Sequence, residues 1–346
     1  ATCDIIITRQ NEGQGGKNMQ ENEKFLEVRD LNVEYTSGKE IVHAVNGVSF
    51  CVPKGKTVAL VGETGAGKTT IAKAIMRILP DPPAKIKGGE IFLDGKNLLE
   101  LSEPAMRKVR GDQISMVFQD PMTALNPVKR VGDQIAEVIK AHNDISKHEA
   151  RERAEKMLEM VGITRERYNE YPHQFSGGMK QRVIIAIALA CSPDLLLADE
   201  PTTALDVTIQ AQVLEMMNDL RKKQNTSMIM ITHDLGIVAN VSDYVVIIYA
   251  GQVLEYGTKR DIFKNPQHPY TIKLFGAVPN LEVDTRRLAN IEGMPPDPTH
   301  LPEGCCFHPR CPWATDACRK GRIEMTTVDG EHQVRCCRCG QFDKEA

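Results

Sequence analysis

Eight consecutive residues, Gly62-Glu63-Thr64-Gly65-Ala66-Gly67-Lys68-Thr69, fit the spacing G-x-x-x-x-G-K-[ST] in full. Glycines at that spacing let several backbone N–H groups turn toward one anion. A helix opening at Lys68 adds the partial positive charge of its N-terminus. Lys68 supplies an ammonium for the outer phosphates, and Thr69, followed by Thr70, a hydroxyl for Mg²⁺. That chemistry is the holding of a nucleoside triphosphate. A second group, Leu195-Leu196-Leu197-Ala198-Asp199-Glu200, is an apolar run ending in two carboxylates. Asp199 suits support of Mg²⁺, and Glu200 suits orienting or deprotonating a water. A third group is a crowd of thiols: of ten cysteines, seven (Cys305, Cys306, Cys311, Cys318, Cys336, Cys337 and Cys339) fall in the last 42 of 346 positions. Composition alone leaves disulfides, a metal site or accident open for them.

These groups need elements to position them. Thr57–Val61 is a short apolar run ending at Gly62, as a buried strand requires, and Lys68–Leu79 reads as a helix stopped by Pro80, Pro82 and Pro83. Phe25–Tyr35 alternates apolar and polar residues, and Ile41–Val52 is a second β-rich run. Residues 134–171 are charged and helix-favouring. Leu195–Ala198, Ser227–Thr232 and Tyr244–Tyr249 read as strands, with a helix over 208–223. Strands alternating with helices imply a mostly parallel α/β sheet. After about Gly276 prolines and cysteines take over, which places a boundary there. Residues 1–20 read as a disordered tail or a remnant foreign to the natural chain, not a secretory signal, with Met19 a candidate natural start. The net charge of −3 argues against a mainly electrostatic nucleic-acid binder, so no nucleic-acid partner is expected. The longest unbroken apolar run, Val183–Cys191, is far short of the ~20 residues of a membrane span.

With these motifs in hand, the chain resembles an ABC-transporter ATPase subunit. Phe175-Ser176-Gly177-Gly178-Met179-Lys180-Gln181-Arg182 looks like the family's signature, and Val117-Phe118-Gln119-Asp120 like its Q-loop. Thr203-Ala204-Leu205-Asp206 looks like the D-loop, Ile231-Thr232-His233-Asp234 like the H-loop, and Tyr35 stands where an adenine-stacking aromatic is expected. All occur in family order across roughly residues 25–260. The narrower likeness is to the D-type ATPase of dipeptide and oligopeptide importers, through Asp120-Pro121-Met122-Thr123-Ala124-Leu125-Asn126-Pro127, Tyr171-Pro172-His173-Gln174, His268-Pro269-Tyr270-Thr271 and the cysteine-bearing tail.

The resemblance implies a P-loop NTPase: a RecA-like α/β core with an antiparallel β subdomain and a helical signature subdomain at about 120–190. It places the ATPase domain at 21–276 and a small cysteine-rich metal-binding module at 277–346. It implies ATP binding by Tyr35, Gly62–Thr70, Gln119, Asp199, Ser176, Gly177, Gly178 and Asp206. Glu200, His233, Gln119 and Lys68 are the implied catalytic residues, with Mg²⁺ held by Thr69, Gln119 and Asp199. Two ATPase subunits would close head to tail around two ATP molecules, the partner being a paralogous F-type subunit or, in isolation, a second copy. Two transmembrane permease subunits and, indirectly, an extracytoplasmic peptide-binding protein complete the assembly, with this chain peripheral on the cytoplasmic face of the membrane. Nickel or another small solute is the alternative cargo.

A chain that uses cellular ATP works in a reducing compartment, which disfavours disulfides. Thiolates in a small Pro-rich module then suit Zn²⁺ or an iron–sulfur cluster. The spacing Cys305-x₅-Cys311-x₆-Cys318-x₁₇-Cys336 chooses neither metal. The resemblance favours a [4Fe–4S] cluster on Cys305, Cys311, Cys318 and Cys336. Zn²⁺ stays open because Cys336-x₂-Cys339 has the spacing of half a zinc site, and unliganded thiols are the third reading.

Overall fold

The computed structural model describes residues 24–119, 124–203, 205–277 and 291–342. The expected tail at 1–20, Asp120–Thr123 of the Q-loop segment and Ala204 of the D-loop lie outside the described residues. In chain order the elements are β1 (Lys24–Ser37), β2 (Glu40–Pro53), β3 (Thr57–Val61), α1 (Lys68–Ile75), β4 (Ala84–Leu93), β5 (Lys96–Asn97), α2 (Glu103–Val109) and β6 (Ile114–Val117). Then follow α3 (Val131–His142), α4 (Lys147–Met160), α5 (Gly177–Leu189), β7 (Leu195–Asp199), α6 (Val207–Gln224), β8 (Ser227–Ile231), α7 (Leu235–Val241) and β9 (Tyr244–Tyr249). The chain continues with β10 (Gln252–Thr258), α8 (Lys259–Lys264), α9 (Pro269–Gly276), β11 (Thr326–Asp329) and β12 (His332–Val334). Among the described residues no helix is long and apolar enough to cross a membrane.

The chain divides into two compact units. One holds the described residues up to Pro53, Val58–Leu99 and the described residues from Thr232 onward. Its antiparallel sheet has the order β2-β1-β4-β5, with Tyr35 of β1 opposite Val42 and Ala84. Its second sheet pairs β3 with β9 in parallel, then β9, β10, β12 and β11 antiparallel. All five residues of β3 are buried, which is why that run is continuously apolar rather than alternating. The core of this unit joins Ala59 and Val61 of β3 to Val245, Ile247 and Tyr249 of β9, and also to Cys305, Cys306, Phe307 and Cys318. The cysteine-rich tail is therefore built into the same core as the strand that carries the phosphate loop.

The other unit holds Lys54–Thr57 and Glu100–Ile231. Its strands β6, β7 and β8 run parallel; α5 packs on β6, and α3 and α4, in the charged stretch expected to be helical, pack on each other and on α5.

Several expectations need correcting. The helix after the phosphate loop stops at Ile75, not Leu79, because Arg77 turns left-handed at φ 51°. There the Ile78 N–H reaches Lys73 O at 3.0 Å and the Arg77 N–H reaches Ala74 O at 3.0 Å, the hydrogen-bond pattern of a Schellman stop. Strand β4 was not anticipated. Its Gly88-Gly89 step and flanking lysines mask the alternation, yet it pairs with β1 along most of its length.

Candidate functional site

The phosphate loop leaves β3 at Val61 and enters α1 at Lys68. Its turn needs glycine at Gly67, where φ is +96° and an added Cβ would lie 2.3 Å from Ala44 O. The Lys68 ammonium curls back over the loop, donating to Gly62 O at 2.7 Å and Glu63 O at 2.9 Å. Thr69 and Thr70 open the helix, and the Tyr35 hydroxyl lies 3.4 Å from Thr70 Oγ1. The structure thus brings Tyr35 beside the loop. His233 is exposed in the turn between β8 and α7. That turn is fixed by Asp234, whose carboxylate accepts from the Gly236 and Ile237 N–H groups at 2.8 and 3.2 Å.

In the second unit β7 ends at Asp199, which is 2% exposed. Glu200 follows with φ +45°, a left-handed conformation that costs a non-glycine residue of order 1–3 kcal/mol and clusters at functional sites. Its carboxylate is held there, Oε2 accepting from Gln119 Nε2 at 2.9 Å and from the Thr203 hydroxyl at 2.9 Å. Two of the residues expected to be catalytic, Gln119 and Glu200, are therefore hydrogen-bonded across 81 positions of sequence. Ser176 caps α5, its hydroxyl accepting from the Met179 N–H at 3.4 Å. Ser176, Gly177, Gly178 and Asp206 line one cavity of about 630 Å³ together with Arg182 and Ile209. Helix starts of this kind suit anions.

The four expected thiols also share one cavity. Cys305, Cys311, Cys318 and Cys336 line it, and so do Cys337, His268 and Trp313. Cys337 Sγ lies 3.3 Å from Cys318 Sγ, so the sequence reading missed a fifth sulfur at this place. Burial pushes the Cys305 thiol up to about 11 and that of Cys336 up to about 12. Cys318 is the exception. Burial opposes its ionisation, but hydrogen bonds from Thr315 and Cys337 outweigh this and hold it below the ordinary thiol range. His268 is buried, which lowers its imidazole to about 3, with Arg335 adding to the effect. Its Nδ1 accepts from the Tyr270 N–H at 3.0 Å, so it serves α9 as a neutral N-cap.

The lining thiols are soft donors of the kind an iron–sulfur group takes. The free space is about 10 Å³, enough for one water. Among the described residues no three His, Cys, Asp or Glu side chains are gathered as a single metal ion requires. The metal-binding part of the expected module is therefore not seen, for zinc or for a cluster.

A model of the ABC transporter family matches residues 45–203. A model of the oligopeptide/dipeptide transporter C-terminal region matches residues 254–318. The chain is 50% identical over 316 residues to the dipeptide transport ATP-binding protein DppD of Bacillus subtilis (strain 168), covering 91% of this chain and 94% of that one. It is 51% identical to the oligopeptide transport ATP-binding protein OppD of the same organism, over 90% of this chain and 88% of that one. Among solved structures it is similar to the ATP-binding cassette MJ0796, determined as a dimer in a post-hydrolysis state bound to ADP and Pi. There the TM-score is 0.62 and the identity 27%, over 68% of this chain and 99% of the other.

Proposed function

The chain belongs to the ABC transporter family of ATP-binding proteins, and from that premise we propose that it powers a membrane importer of di- and oligopeptides by binding and hydrolysing ATP. The observation that carries the hydrolytic role is the Gln119–Glu200 hydrogen bond at 2.9 Å on a residue held at positive φ. Strain retained at a strand end by two specific partners is the mark of a positioned base. Lys68 and the loop amides of Gly62–Thr69 bind the phosphates, Tyr35 stacks on the base, and His233 bonds the outermost phosphate. Ser176, Gly177, Gly178 and Asp206 form the half-site offered to a second ATPase subunit, which is why their cavity opens to solvent on this chain. Thr69, Asp199 and Gln119 offer hard oxygen donors that suit Mg²⁺, and the ion, when bound, neutralises charge on the phosphates.

The second subunit in this reading is a paralogous F-type ATPase, with two permease subunits anchoring the pair on the cytoplasmic face of the membrane. The ATPase cassette is 21–276 and the cysteine-rich module 277–346. Within that module Cys305, Cys311, Cys318 and Cys336 hold a [4Fe–4S] cluster. What supports this is that these four cysteines and Cys337 line one cavity, with Cys337 Sγ 3.3 Å from Cys318 Sγ.

Glu200→Gln tests the central claim. ATP binding is expected to persist while phosphate release falls by about 10²-fold or more. Undiminished turnover would remove Glu200 from the chemistry.

A further inference from the structure

The buried guanidinium of Arg310 lies within the cysteine-rich tail, between Cys306 and Cys311, yet its charge is spent on the phosphate loop. Its Nη1 donates to both carboxylate oxygens of Glu63, at 3.1 and 2.9 Å. The same nitrogen donates to the Tyr249 hydroxyl at 3.1 Å. Nε and Nη2 donate to the carbonyls of Glu292 and Ile291, both at 3.0 Å. The side chain is only 6% exposed. Removing Glu63 is therefore costly, because Arg310 left alone keeps a desolvated charge.

Glu63 is the second residue of the phosphate loop, and it is gripped at three points. The carboxylate is held by Arg310. The Glu63 N–H donates to the Tyr270 hydroxyl at 3.1 Å. The Glu63 carbonyl accepts from Lys68 Nζ at 2.9 Å and from the Ala66 N–H at 3.1 Å. Tyr270 is itself clamped in an aromatic cluster, with ring centroids 4.7 Å from Tyr249 and 5.4 Å from Phe307. Phe307 sits in the cysteine segment, next to Cys306, and is fully buried. Two independent contacts, one ionic and one through a hydroxyl, therefore run from the tail segment 305–311 and its aromatic neighbours to one residue of the loop. The lysine that faces phosphate is bonded to that same residue.

We propose that Arg310 is a positioning residue for ATP binding, acting through Glu63. The tail segment around it thereby sets the loop's affinity for ATP, and ATP in turn orders the tail. Linkage makes the effect reciprocal: whatever factor an ordered 305–311 segment adds to ATP affinity, bound ATP adds to the ordering of that segment. The proposal rests on the loop's role in binding ATP. It does not depend on which metal, if any, the thiols hold.

A double-substitution cycle on the full chain tests it, read by the Kd for ATP in competition with a fluorescent ATP analogue. Arg310→Gln and Glu63→Gln are each expected to weaken ATP by about tenfold, within the usual range of site-to-site coupling. The double variant should be no weaker than the worse single one, and Arg310→Lys should recover part of the loss. A Kd for Arg310→Gln within about twofold of wild type, or losses that multiply in the double variant, would overturn the proposal. A second readout guards against Arg310→Gln failing to fold. In the wild-type chain, saturating ATP should slow amide hydrogen exchange across 305–311, and in Glu63→Gln at saturating ATP that protection should disappear. Equal protection in both chains would also overturn it. If wild-type protein binds no ATP at all, the nucleotide reading fails first and the link falls with it.

Discussion

Gly62 and Gly67 of the phosphate loop are pressed against the chain's own backbone: a Cβ on Gly62 would sit 2.0 Å from Ile248 O, and one on Gly67 2.3 Å from Ala44 O. At the start of α5 the contacts are different. Gly177 has nothing within 4 Å of an added Cβ, and Gly178 meets only the side chain of Ile209, at 2.7 Å. Both turns open helices and both suit anions. In the first, glycine is demanded by internal packing as well as by any ligand. In the second, the fold itself has room for a side chain at Gly177, so internal packing does not ask for glycine there. A half-site completed by a second subunit's nucleotide would ask for it, since close backbone approach is the other use of glycine.

The largest effect should come from the loop whose glycines serve two masters. Gly67→Ala combines a left-handed φ, costing about 1–2 kcal/mol for an L side chain, with overpacking against Ala44 that costs about 1–3 kcal/mol. Thermal unfolding should show the lost stability, and ATP affinity should fall by about 10²-fold. If Gly67→Ala melts like wild type, the steric half of the comparison is wrong.

Gly177→Ala should separate function from stability in the opposite sense. There is space for the methyl group, and alanine favours helix over glycine by up to about 1 kcal/mol. Melting should therefore be unchanged or slightly raised. ATP binding by the isolated chain should also hold, while dimer-dependent turnover drops by about tenfold. A variant that turns over normally with its partner subunit would show that nothing approaches Gly177 closely.

How much of this was legible beforehand depends on how local each cause is. Thr57–Val61 and Tyr244–Tyr249 fall where the apolar runs place them, because a buried strand is apolar by necessity. The stop at Ile75 was missed because Arg77, not glycine, adopts the left-handed turn. The nucleotide motifs could be read because each is contiguous. The Arg310–Glu63 pair spans 247 positions and the Tyr270–Glu63 contact 207, and no local pattern announces either. The tail shows the same limit: its spacing proposed four sulfurs, and only the fold brings Cys337 to Cys318.

The smallest effect is the most discriminating for Ser176. Its hydroxyl caps α5 through the Met179 N–H at 3.4 Å, and Ser146 caps α4 in the same way through the Glu149 N–H at 3.1 Å. Ser146 has no glycines after it and does not line the 630 Å³ cavity. As caps alone, the two serines are equivalent, and Ser→Ala at either should cost about 0.5–1 kcal/mol. If Ser176 also offers its hydroxyl to phosphate across a dimer, the equivalence must end at turnover. Ser176→Ala should then lower ATP hydrolysis by the paired subunits by a few fold, whereas Ser146→Ala should leave it alone. Equal stability losses with equal turnover would reduce Ser176 to a cap and leave the two glycines as the whole of the half-site.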